Sequence, residues 1–107
     1  MLYTCHQQGR ILKFNFEWDP SKAKLNYRKH KLTFDHAAEI FLDPIAISIY
    51  DEEHSTHEDR WITIGKDRSN KVFVVVHTFH EEDADNITIR LISARGATKK
   101  EIVQYEG

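Results

Sequence analysis

Three arginines give the first chemical clue in this chain. Arg60 precedes the alternating run Trp61-Ile62-Thr63-Ile64, Arg90 sits between Ile89 and Leu91, and Arg95 follows Ser93-Ala94 where strand yields to turn. A guanidinium within an apolar strand is costly unless an anion meets it. For Arg90 two kinds of partner are open: a carboxylate of the chain, such as Glu17 or Glu58, or a bound phosphate. Arg95 stands where a ligand can reach it, and Glu101 and Tyr105, four apart on a final helix, can reach the same region. Histidines form a second group, in His54-x-x-His57-Glu58 and His77-x-x-His80-Glu81. A spacing of three in an extended strand sends side chains to opposite faces, and no cysteine supports either pair, so we expect no metal site. The four glycines form no phosphate-cradling loop, and no nucleophile elbow or C-x-x-C is present.

The elements that must position these groups are legible from periodicity. Leu12 to Trp18 alternates apolar and polar, as a half-buried strand does. Asp19-Pro20 starts a helix, with Asp19 capping free amides and Pro20 in the first turn, where its missing N–H costs nothing. On that helix Ala23, Asn26, Tyr27 and His30 share one face, with Lys24, Arg28 and Lys31 opposite and Lys22 and Lys29 on a flank. This spacing turns His30 toward the core, as a packed, hydrogen-bonded side chain or a proton carrier at a cleft rim. Thr33 caps a second helix whose stripe of Phe34, Ala37, Ala38 and Phe41 is core, and Asp43-Pro44 stops it. Strands follow over residues 45–50, 61–64, 72–79 and 87–94, joined by short polar turns and one acidic, mobile link from Asp51 to Asp59. Thr98-Lys99-Lys100-Glu101 is a capping box for the last helix. The order β-α-α-β-β-β-β-α describes an α+β domain: a twisted antiparallel sheet with two N-terminal helices packed on one face and a short C-terminal helix.

Bulk properties narrow the class. A chain of 107 residues with 40% hydrophobic and 30% charged residues suits one globular domain, taken as residues 12–107 behind a poorly ordered extension, residues 1–11. No run approaches the roughly 18 apolar residues of a membrane span, and the N-terminus does not read as a secretory signal. The lone Cys5 has no internal partner for a disulfide, which fits a reducing cytoplasm. A net charge of −2 argues against a non-specific nucleic-acid binder, but it conceals segregation. Residues 1–31 carry +5 and residues 32–59 carry −8, which leaves room for a focused phosphate site.

The residues also resemble a known family, the BrnT toxins of bacterial toxin–antitoxin pairs. The resemblance covers residues 14–106. It rests on Phe16-Glu17-Trp18-Asp19-Pro20 with Lys22 and Asn26; Lys29-His30 followed by Phe34 and Ala37-Ala38; and Phe41-x-Asp43-Pro44. It continues with Arg60 before Ile64-Gly65, and Ile89-Arg90-Leu91-Ile92-Ser93-Ala94-Arg95-x-Ala97 followed by Glu101 and Tyr105. The family usually carries glycine after the Lys-His pair, where this chain has Lys31, a departure that concerns turn geometry.

The resemblance implies a RelE-like fold, ribonuclease activity that halts translation, and a BrnA-like antitoxin with a ribbon-helix-helix DNA-binding part. It further implies a heterotetramer of two toxins and two antitoxins, contact with operator DNA only through the antitoxin, and RNA, such as ribosome-associated mRNA, as substrate. Such cleavage needs no cofactor or metal, because the ribose 2′-hydroxyl attacks the adjacent phosphorus while protein groups move protons and hold charge. On this reading Arg60, Arg90 and Arg95 bind the scissile phosphate, and Lys29 and His30, with Tyr105 as a third candidate, transfer protons. Trp18 stacks on a base or packs in the core, and Lys22, Lys24 and Arg28 steer the RNA backbone. The rival reading keeps the fold without catalysis, as an RNA-binding or antitoxin-binding scaffold.

Overall fold

The computed structural model describes the backbone of residues 2–7 and 10–107 and the side chains of residues 12–107; the Cys5 thiol lies outside the described residues. Strand β1 (Leu2–Gln7) pairs antiparallel with β2 (Arg10–Trp18), so the structure starts its sheet ahead of the strand read from sequence. Helix α1 (Pro20–His30) follows, then a single helical turn α2 (Phe34–Ala37) that tightens into a 3-10 segment, Ala38–Leu42. The remaining strands are β3 (Ile47–Tyr50), β4 (Trp61–Lys66), β5 (Val72–His77), the short β6 (His80–Glu81) and β7 (Asn86–Gly96), before helix α3 (Lys99–Glu106). The sheet runs β1-β2-β7-β5-β4-β3, with β6 on β7.

The expected all-antiparallel sheet requires correction, because β2 lies parallel to β7 at the centre, with Phe16 opposite Ile89 and Glu17 opposite Arg90. Pairing between strands some seventy residues apart leaves no trace in local periodicity. Alternation then sorts the side chains. Leu12, Phe16, Phe73, Val75, Ile87, Ile89, Leu91 and Ala94 form the core with Phe34, Ala37, Ala38 and Ile40, while Phe14, Trp18 and Phe41 pack against it. Gly65 lets β4 approach the 3-10 segment, since a Cβ there would sit 3.1 Å from those of Ile40 and Ala46.

Helix α1 starts as read, with Asp19 accepting from the Ser21 amide at 2.8 Å and Pro20 in the first turn. It ends on Lys31 in the left-handed region at φ 55°, where glycine carries no penalty. Apart from Ala23, which packs against the core, its docking is polar. Beyond Trp18, β7 has no β2 neighbour, and the buried Asn26 amide takes that place on the edge. Asn26 accepts from the Ala94 N–H at 2.9 Å and donates to the Ala94 carbonyl at 2.9 Å and the Leu32 carbonyl at 3.2 Å. This placement turns His30 and Tyr27 outward, so the core-facing orientation expected of His30 is also corrected. A helix fixed by one polar side chain on a strand edge does not have to bury a full apolar face.

Candidate active site

The site is built on β7. Ile89, Leu91 and Ala94 are buried, and between them Ser93 opposes Val76 while Leu91 opposes His77, so Ile92 is a bulged residue. The extra residue lets Arg90 and Arg95, an odd number apart, both point away from the core. They are roughly 15 Å apart along the strand, too far for one phosphate to bridge.

At one end Arg90 joins Arg60 around a single carboxylate. Glu58 makes a short hydrogen bond with the Arg90 guanidinium and lies 3.5 Å from that of Arg60. The hydrogen bond with Arg90 holds Glu58 below the ordinary carboxylate range. The side chains remain about a third exposed, at 30% for Arg60, 32% for Arg90 and 35% for Glu58. Among the described residues, Arg60 Nε is the one buried side-chain nitrogen or oxygen with no hydrogen-bond partner. An unmet donor in a partly dry site favours an incoming acceptor. Glu58 comes from the acidic link, whose ends are tied by the Ser55 hydroxyl to the Asp51 carbonyl and Arg60 amide and by the Tyr50 hydroxyl to Asp59. A small cleft of about 190 Å³ beside it is lined by Glu53, His54, Thr56, His57, Glu58 and Arg60.

At the other end Arg95 is held by Glu101 through two hydrogen bonds of 2.8 and 2.9 Å. The pair raises the Arg95 pKa and holds Glu101 at about 2. Glu101 also closes the expected capping box with Thr98, so Arg95 anchors the first turn of α3. Tyr105 does not join the arginines. It is buried, and its hydroxyl donates to Asp43 in a short bond, with burial and that carboxylate pushing its pKa up to about 12.

Helix α1 divides the remaining expected residues between two clefts. Lys22, Lys29 and His30 line one of about 310 Å³ together with Ile92 and Ser93, so it lies along β7 between Arg90 and Arg95. Trp18, Lys24 and Arg28 line another of about 520 Å³, with Tyr27, Lys31 and Asp35. Trp18 packs against the core, meeting Phe34 edge-on at 5.9 Å, and its side chain also forms part of that cleft wall.

The structure places His54 and His57 on the same small cleft and separates the second histidine pair. His77 is buried and His80 is exposed. His77 Nδ1 must donate to the Thr78 carbonyl at 2.7 Å, which leaves Nε2 to accept from the Thr63 hydroxyl at 2.6 Å, itself receiving from Ser48 at 2.7 Å. Burial lowers the His77 pKa to about 4, against the opposing pull of the Thr78 carbonyl. A metal-like donor set does occur elsewhere, in His36, Glu39 and Asp67, whose ligand atoms lie within 4.8 Å of one another. Its buried carboxylate is already engaged. Asp67 accepts from His36 at 2.8 Å, the Lys71 amide at 2.8 Å and the Ser69 amide at 2.9 Å, which together staple the β4–β5 turn.

The structure adds Glu58, two residues before Arg60, to the candidate site, and sets His54, weighed from the sequence only as a metal ligand, on the adjoining cleft. The sequence offers Glu58 as one possible ion-pair partner for Arg90, and that pairing is present.

Residues 18–101 match the family model described as the ribonuclease toxin, BrnT, of type II toxin-antitoxin systems. Among solved structures, the ribonuclease toxin BrnT of Brucella abortus is 20% identical, covers 80% of this chain and 99% of its own, and superposes with a TM-score of 0.49. No curated protein sequence matches. With the family model spanning most of its length, this chain belongs to the BrnT family of ribonuclease toxins of type II toxin–antitoxin systems.

Proposed function

We propose that the chain cleaves single-stranded RNA without a metal, by attack of the ribose 2′-hydroxyl on the adjacent phosphate, with Arg60 and Arg90 holding that phosphate. One observation carries this reading: two partly exposed guanidinium groups converge on one carboxylate while Arg60 keeps a buried N–H unused. A carboxylate bound by two arginines marks a site that suits a phosphate's oxygens equally well. In the phosphorane both groups meet a charge larger than in the ground state, and that difference accelerates the reaction. The strand then suggests a track. From Arg90 the RNA passes Lys22, Lys29 and His30 above Ile92 and Ser93, and its backbone reaches Arg95 once a phosphate competes with Glu101. Trp18, Lys24 and Arg28 offer a stacking and charge surface on the far side of α1.

Membership of a type II family supports a protein antitoxin as partner. We assign that partner a ribbon-helix-helix part that contacts operator DNA, in a complex of two toxins and two antitoxins, and we assign translation arrest to loss of mRNA. A second reading, a non-catalytic scaffold, draws on the fact that Arg60, Arg90 and Arg95 all have carboxylate partners in the folded chain.

The deciding experiment incubates purified protein with RNA in excess chelator and maps the ends. The nuclease reading expects cyclic-phosphate or 3′-phosphate termini opposite 5′-hydroxyls, and at least a hundredfold loss in the double variant R60A/R90A. An intact substrate, or a double variant as active as the parent, leaves the scaffold reading.

A further inference from the structure

Charge neutralisation by arginines explains how the phosphate is held but not which group takes the proton from the attacking hydroxyl. The α1 candidates Lys29 and His30 are exposed and line the neighbouring cleft rather than the two-arginine site. Tyr105 is spent on Asp43. Glu58 is the carboxylate that touches both Arg60 and Arg90, so a phosphate seated on those arginines lies next to it. His54 lines the same cleft and is oriented by Asp51, which is largely buried and sits 2.9 Å from its Nδ1. That contact makes Nδ1 the donor toward Asp51 and leaves Nε2 available to a ligand.

We propose that Glu58 is the general base and His54 the general acid of the cleavage, with Asp51 a positioning residue for His54. This assignment rests on the ribonuclease reading above. An arriving phosphate takes the Arg90 and Arg60 N–H groups from Glu58, which frees the carboxylate to turn to the neighbouring 2′-hydroxyl. Glu58 accepts that proton as the 2′-oxygen bonds to phosphorus. The bond from phosphorus to the 5′-oxygen of the next nucleotide breaks with its electron pair, and Nε2–H of the His54 imidazolium protonates the departing oxygen. The products are a 2′,3′-cyclic phosphate and a 5′-hydroxyl, with no oxidant, metal or co-reactant consumed. Glu58 has a low pKa while it is paired with Arg90, and surrendering Arg90 to the phosphate raises its basicity when it is needed.

The test uses the full chain, a single-stranded RNA, and pH–rate profiles of E58Q, E58D and H54A, each first checked for an unchanged melting curve. Glutamine keeps the hydrogen-bond acceptor for Arg90 but cannot take a proton, so E58Q should lose about 10²–10⁴-fold in rate together with the acidic limb of the profile. E58D retains a base on a shorter stem and should retain part of the rate and that limb. H54A should lose about 10²–10⁴-fold in rate, and an RNA with a 5′-thiolate leaving group, which needs no proton to depart, should recover most of that loss. Uncleaved 2′-deoxy analogue should bind E58Q at least as tightly as the parent, because a competing anion is gone. An E58Q protein that cleaves within threefold of the parent overturns the assignment and leaves the nuclease reading standing. Faster cleavage by E58Q also overturns it, making Glu58 a plug on the phosphate site. A parent protein that cleaves nothing removes the nuclease reading and this assignment with it.

Discussion

Replacing Asn26 with alanine should loosen the chain more than any exposed cation does. Its amide meets three backbone groups in a buried setting: the Ala94 N–H, the Ala94 carbonyl and the Leu32 carbonyl. A buried polar group left without a partner costs about 1–3 kcal/mol. Three such groups would sum to well above 3 kcal/mol, but water entering the space vacated by the amide satisfies part of the demand, and we take about 3 kcal/mol. Domains of this size are stable by only about 5–15 kcal/mol, so the loss is a large fraction of the total. At about 4 °C per kcal/mol, N26A should melt roughly 12 °C below the parent at neutral pH. Thermal unfolding followed by circular dichroism reads this directly, and hydrogen exchange should show the loss of protection concentrated in α1 and the facing edge of β7. N26D sharpens the test. It keeps an acceptor for the Ala94 N–H but sets a carboxylate against two carbonyl oxygens, so it should be at least as destabilised. If N26A melts within 3 °C of the parent, the strand-edge tether does not hold α1, and another contact must be sought.

Two further outcomes follow from local geometry. Lys31 adopts φ 55° at the end of α1, so K31G should relieve left-handed strain at some cost in unfolded-chain entropy, for a net gain of about 0.5–1 kcal/mol in urea unfolding; a loss of stability would show that the lysine side chain matters more than the turn. His77 is neutral when folded, with a pKa of about 4 against 6.5 when free, so the unfolded chain gains its proton first as pH falls. Its contribution is therefore complete above about pH 6.5 and declines through pH 4, by about 2 kcal/mol at pH 5, and urea midpoints that do not move between pH 7 and 5 would contradict the buried neutral imidazole.

Much of this molecule could be read from its residues in order. The caps Asp19, Thr33 and Thr98, the stripe Phe34-Ala37-Ala38, the alternation of β4 and β7 and the apolar run of β5 are local facts, because helix ends and strand faces are decided within a few residues. The family was also visible there, since the motif residues keep their spacing whatever they touch. Tertiary structure decided the rest. It laid β2 parallel to β7, turned His30 outward by tying Asn26 to a bare strand edge, and used the bulge at Ile92 to bring Arg90 and Arg95 to one side. It also selected Glu58 over Glu17 as the partner of Arg90, although Glu17 is the register neighbour. Hydrogen bonds between distant segments and the folding of an acidic link onto a sheet depend on which strands meet, and no local periodicity encodes that meeting.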